Sequence, residues 1–201
     1  MTEIKSVKFI RDTRNSVADQ CGGIYKWWCK KELLEEFINQ LRLFNETISF
    51  DEIIKYVEQN DNSLYCFYVG QTKSSLRSRI RSQHIGKRGK KNPTFGRAIK
   101  GSTLRRTINA LKNNDGRYDE DYVDKVLDEC FVQWQSLETN RIDEEERNEI
   151  NSYIRIFNID DIANSNDENF NTLRAEVRDA LKEARKKHIE NRKEIDRIMN
   201  Y

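Results

Sequence analysis

Two short stretches set a tyrosine beside glycine: "GGIYKWWC" around Tyr25 and "YCFYVGQT" around Tyr68. Most strand tyrosines are core rings. Glycine next to each of these, however, lets backbones approach closely and leaves room for a phosphate-sized group over the phenol. A third feature points the same way. From Asn62 through Asn114 there is no Asp or Glu, while the stretch carries Lys73, Arg77, Arg79, Arg81, Lys87, Arg88, Lys90, Lys91, Arg97, Lys100, Arg105, Arg106 and Lys112. A solvated surface normally mixes signs, so a one-sign block this long calls for an anionic partner, and a phosphate backbone is the natural one. Downstream, "DEEERNE" gathers carboxylates into one short run. Phenols, guanidinium groups and clustered carboxylates together suit chemistry on a phosphate.

Composition bounds the rest. A chain of 201 residues is long enough for one domain with a real core, and 10% aromatic content supports packing. The net charge of +2 conceals the basic block, because the remainder is net acidic. Cys21, Cys29, Cys66 and Cys130 show no paired spacing and read as reduced thiols; His84 and His188 are not spaced with them for zinc. No run approaches the roughly 18 apolar residues of a membrane span, and "MTEIKSVKFIRDTR" lacks the apolar centre of a signal peptide. A cytoplasmic protein with no membrane partner is expected.

The elements that must position these residues follow from period and punctuation. "GGIYKWWC", "SLYCFYVG" and "ECFVQWQSL" read as strands. "KKELLEEFINQLRLF" repeats Leu33, Leu34, Phe37, Ile38 and Leu41 at helical spacing, and "SFDEIIKYVEQ" reads as a second helix. "SSLRSRIRSQH", "STLRRTINALKN" and "EEERNEINSYIRIF" read as further helices, separated by an exposed loop that holds Pro93. The tail from Phe170 sets Leu173, Val177, Leu181 and Ala184 on one face of a long helix. The expected fold class is α+β: a small three-stranded antiparallel-type sheet flanked by helices, with a helical insertion at about 30–61 and a long C-terminal helix. Residues 1–162 would form the domain. Residues 163–201 would form a charged helix packing on the body or on a second subunit.

In order along the chain, Gly23-Ile24-Tyr25, Tyr68-Val69-Gly70, Leu76-x-x-Arg79-Ile80, His84, an acidic helix and Asn158 resemble the GIY-YIG nuclease superfamily, over roughly Gly22 to Asn158. "YVGQTKSSLRSRI" is the most specific part, and "YKWW" with "STLRRTINAL" resembles a bacterial branch of restriction or defence type. The resemblance implies two tyrosines on neighbouring strands, a helical arginine, and one glutamate holding Mg²⁺ or Mn²⁺. It makes Tyr25 the water-activating base and Tyr68 its partner on the phosphate, with the two roles open to exchange, and it puts Arg79 on the phosphate. Glu146 fits the metal position, with Ile150 four residues later and Asn158 twelve later; Glu145 and Glu149 are the alternatives. His84 follows Arg79 by five residues where a same-face helical pair expects four, and would assist the base from the helix end. Lys73 would lower a tyrosine pKa or touch phosphate. Arg77, Arg81, Lys87, Arg88, Lys90, Lys91, Arg105, Arg106 and Asn158 would lie along the nucleic acid.

Elementary chemistry agrees. Arginine matches phosphate geometry and stays charged at any working pH. One carboxylate suffices for a hard cation that keeps most of its waters. A phenol beside cations loses its proton more readily than one in water. The expected activity is metal-dependent hydrolysis of DNA, with duplex as the partner. A homodimer would use the C-terminal helix or the insertion. The alternative is a non-cleaving nucleic-acid-binding protein or a partner-dependent subunit of the same fold.

Overall fold

The computed structural model describes residues 2–13, 17, 20–48, 56–59, 62–86, 102–112, 116–152, 156–158 and 168–199. In chain order the elements are β1 (Lys5–Ser6), α1 (Val7–Asp12), β2 (Gly23–Cys29), α2 (Lys31–Arg42), β3 (Tyr56–Gln59), β4 (Asn62–Thr72), α3 (Ser78–Ile85), α4 (Thr103–Lys112), α5 (Glu120–Asp128), β5 (Phe131–Ser136), α6 (Thr139–Asn151) and α7 (Glu168–Met199). The α+β class holds, but the sheet among the described residues has five strands, not three. Their order is β1-β5-β2-β4-β3, with every pairing antiparallel.

The two added strands are short and sit at the edges. Tyr56–Gln59, expected as the end of a second insertion helix, instead pairs with β4 as β3. The remainder of that expected helix, residues 49–55, lies outside the described residues. The insertion therefore returns to the sheet as a hairpin, which explains how the 32 residues from 30 to 61 fit between β2 and β4 without separating them.

β2 lies at the centre and is buried along its length. Successive strand residues face opposite sides, so β2 supplies two cores. On one side Tyr25 and Trp27 join Phe37 and Leu41 of α2, Leu104 and Ile108 of α4, and Val177 and Leu181 of α7. On the other, Trp28 packs with Leu64, Cys66, Val69 and Ile150 of α6. A bulge between Trp27 and Trp28 in the pairing with β4 leaves Phe67 as the extra residue. Phe67 and Tyr68 consequently both reach the larger core. Phe67 there meets Phe37 at 5.6 Å and Phe157 at 5.1 Å between ring centroids.

The helices form where the sequence places apolar residues one turn apart. α2 buries Leu33, Leu34, Phe37, Ile38 and Leu41. α7 packs against α2 and α4 of its own chain, burying Val177, Ala180, Leu181 and Ala184. Each fully buried large apolar side chain contributes about 1.5–3 kcal/mol. α5, which the sequence reading did not single out, is opened by Asp119, whose side chain accepts from the backbone of Tyr122.

Candidate active site

Register brings the two tyrosines together. Tyr25 pairs with Gly70 across the β2–β4 ladder, and Trp27 pairs with Tyr68, so both phenols share one face. Their ring centroids are 6.3 Å apart. Gly70 is required for this arrangement: a Cβ there would lie 2.5 Å from the Tyr25 hydroxyl oxygen. The glycine after Tyr68 thus clears the path of the other tyrosine's ring.

The Tyr25 hydroxyl is the meeting point of a buried polar group. Arg79 Nε donates to it at 3.0 Å, and His84 Nε2 lies 2.9 Å away. The Tyr68 hydroxyl hydrogen-bonds both Tyr25 and Arg79. Behind the imidazole, His84 Nδ1 lies 2.8 Å from Ser102 Oγ. Tyr25, His84 and Ser102 are all fully buried. The ring of His84 sits between those of Tyr25 (5.2 Å), Trp27 (5.6 Å) and Tyr68 (6.4 Å).

Five residues separate Arg79 from His84, and on an α-helix of about 3.6 residues per turn their side chains would diverge. α3 is wound as a π-helix. Its wider turn, with bonds spanning five residues, carries both side chains to the same oxygen. The last such bond runs from Gly86 N to Arg81 O at 2.9 Å, and Gly86 takes φ 70 to end the helix.

Burial sets the electrostatics. It pushes the Tyr25 phenol up, against the pull of the Arg79 charge, which lowers it. Tyr68 is pushed well up by burial and then by Tyr25. His84 is driven well below the ordinary imidazole range by burial, with Arg79 and Arg105 adding to the effect, so the ring is neutral. Burial alone would lower Arg79, but Tyr25 and Tyr68 outweigh it and the guanidinium is raised. The group can hold a phenol oxygen close to a fixed cation in a water-poor setting.

The model of the family described as "GIY-YIG catalytic domain" matches residues 23–187. The chain belongs to the GIY-YIG family. Neither the curated proteins nor the solved structures contain a significant match. GIY-YIG proteins are generally endonucleases acting on DNA, and the match takes in β2, β4, α3, α6 and most of α7.

Within this GIY-YIG domain the acidic helix sorts its carboxylates. Glu149 pairs with Lys26 at 2.5 Å, on the side of β2 opposite Tyr25. Glu146, half-buried, is the carboxylate whose charge raises both Tyr25 and Tyr68. The side-chain amide of Asn158 is bound to one backbone unit: it accepts from Val69 N at 2.9 Å and donates to Val69 O at 2.8 Å. It stands in for a strand on the open side of β4, next to Tyr68.

The basic block divides. Arg105 is buried, donating to His84 O at 2.9 Å and pairing with Asp124 at 2.8 Å. It clamps α3 from within the protein, so its expected place along the nucleic acid is corrected. Arg81 donates to the carbonyls of Ile10 and Thr13, and Arg106 to the side-chain hydroxyl of Thr103. Lys73, exposed, pairs with Asp143 at 2.7 Å; Arg77 is half-buried at the start of α3. Lys87, Arg88, Lys90 and Lys91 lie outside the described residues. Two participants escaped the sequence reading. Ser102 was visible only as a helix cap, and Lys26 only as the polar residue between Tyr25 and Trp27. Among the described residues no helix is long and apolar enough to cross a membrane.

Proposed function

We propose that this GIY-YIG domain is a metal-dependent DNA endonuclease. The observation that carries the reading is the convergence of Arg79, His84 and Tyr68 on the hydroxyl of Tyr25. Phosphodiester hydrolysis needs a base for water, and donors for the charge that grows on phosphate oxygens. Tyr25 is the base. The guanidinium of Arg79 steadies its oxygen as the proton leaves and presents further N–H donors to phosphate. Tyr68, almost fully buried, orients the pair from the neighbouring strand.

Mg²⁺ or Mn²⁺ fits this donor set. Among the described residues no group of three or more His, Cys, Asp or Glu side chains could cage a metal, which suits a cation keeping most of its waters on a single carboxylate. Glu146 would hold it, since its charge is felt at both phenols while Glu149 is engaged by Lys26. When bound, the cation would polarise the phosphate and neutralise the leaving oxygen. Duplex DNA is the expected substrate, gripped by the basic residues from Lys73 to Lys112 other than the buried Arg105. A restriction or defence role and a homodimer cutting both strands are the finer parts of the reading.

Plasmid cleavage with Mg²⁺ or Mn²⁺ tests it. Wild type should cut, with discrete fragments if a recognition site is read. Arg79→Ala and Glu146→Ala should each lose about 10²–10³-fold in rate. A wild type that binds duplex at low salt yet leaves every DNA intact would reduce the protein to a binding module.

A further inference from the structure

We propose that Ser102, at the head of α4, is a positioning residue of this site: its hydroxyl donates to Nδ1 of His84 and fixes the ring as the Nε2–H tautomer, a hydrogen-bond donor to Tyr25. The proposal rests on the nuclease reading for its purpose, and on a hydrogen-bond count for its geometry.

Ser102 Oγ has two polar neighbours among the described residues: His84 Nδ1 at 2.8 Å and the backbone N of Arg105 at 3.2 Å. A backbone N–H can only donate, so the oxygen accepts there. Among the described residues, the one hydroxyl proton then has a single acceptor within reach, the imidazole nitrogen. A neutral imidazole that accepts at Nδ1 carries its proton on Nε2. The opposite tautomer would give Ser102 two donors and leave its own proton buried without a partner among the described residues, an arrangement folded proteins avoid.

At the other end of the ring, Nε2–H meets the Tyr25 oxygen at 2.9 Å, where Arg79 Nε already donates. The phenol also shares a hydrogen bond with Tyr68. Two fixed donors therefore stand at the oxygen before any charge develops on it, the arrangement that stabilises an oxyanion without reorganisation. His84 acts here as a neutral donor, not as a base. The first turn of α4 holds both parts of the residue, the ring through Ser102 and the carbonyl through Arg105.

Nitrogen-resolved NMR of the histidine rings in the full chain reads the tautomer without turnover. Wild type and Ser102→Thr should carry the His84 proton on Nε2. Ser102→Gly, which remains a serviceable helix cap, should give a mixture. DNA cleavage by Ser102→Gly should fall about ten- to a hundredfold in kcat, the usual cost of losing a group that fixes a tautomer, with KM unchanged and the rate restored by threonine. A wild-type ring protonated on Nδ1, or a Ser102→Gly protein that cuts at full rate, overturns the proposal. A wild type that holds Nε2–H but cuts no DNA sinks the nuclease reading and leaves the ring assignment standing.

Discussion

Tyr25 and Lys26 are neighbours on the most buried strand of the molecule, and each must satisfy a polar group out of water. They solve the problem differently. Tyr25 faces the large core and gathers partners from three other elements: Arg79 and His84 on α3, Tyr68 on β4, and Ser102 through the imidazole at the head of α4. Lys26 faces α6 and makes an ion pair with Glu149, one turn from Glu146. The first arrangement leaves an oxygen surrounded by donors. The second ties two opposite charges to each other and fixes how α6 lies on the sheet. A polar group that several elements converge on is organised for a reaction, whereas a mutually neutralised pair is organised for packing.

The largest break in this comparison is Tyr25→Phe. It should lower cleavage by about 10²–10³-fold, on the scale of losing a principal charge-stabilising group. The ring remains and Arg79 keeps Gln83 and Tyr68 as partners, so the stability loss should be confined to the about 1–3 kcal/mol of leaving the buried His84 Nε2 without the Tyr25 hydroxyl. Lys26→Met should do the reverse. It strands Glu149 without its buried cation, at a cost of about 2–4 kcal/mol, below the figure for a fully buried pair because Glu149 is 18% exposed. Cutting should persist at temperatures where the variant is folded. Lys26→Met with Glu149→Leu should recover most of the stability. Denaturant melts beside cleavage rates separate the two faces; if Lys26→Met destroys activity in a folded protein, the division is wrong.

Gly70→Ala probes the boundary between the two functions. The new methyl would meet the Tyr25 hydroxyl oxygen at 2.5 Å, and Tyr25 Cζ lies only 2.6 Å away, so the ring must move. A clash of this kind typically costs about 1–3 kcal/mol. Movement of the phenol should lower cleavage at least about tenfold, since sub-ångström placement governs such chemistry. Rates measured at matched folded fraction would show whether the loss is catalytic.

How much of this was legible in the sequence depends on the length scale of each signal. β2, β4 and β5 announce themselves by aromatic and β-branched runs, and α2 by its five apolar residues at helical spacing. Tyr25, Tyr68 and Arg79, which the fold brings together, stand out in the sequence because motif spacing coincides with strand and helix patterns. The two residues of β1 and the four of β3 are too short to carry a period. The π-helix was hidden because the chain marks only a five-residue gap between Arg79 and His84, which counts against the pair until the wider turn is seen. Charge misled in one respect: an acid-free block does not say which of its arginines turns inward. Arg105 lies between Leu104 and Thr107 on a buried helix, and finds its counter-charge on α5, from Asp124 across the fold. That pairing is long-range, and no local pattern encodes it.

The smallest effect belongs to His84, and its sign distinguishes a buried neutral donor from an ordinary titrating histidine. Burial, Arg79 and Arg105 hold its folded pKa well below 6.5, whereas the unfolded chain titrates near that value. The unfolded state therefore binds a proton that the folded state refuses. The stability contributed is present above about pH 6.5 and is lost as pH falls from there toward the folded pKa, at no more than about 1.4 kcal/mol per pH unit for one group. Carboxylates such as Asp143, held low by Lys73 and Gln71, act only further into acid. Denaturant melts at pH 7.5, 6.5 and 5.5 should show this slope in wild type and its loss in His84→Gln. Equal slopes in the two proteins would mean that the ring protonates in place, and a charged imidazole between two arginines could not be the neutral donor on which the Tyr25 face depends.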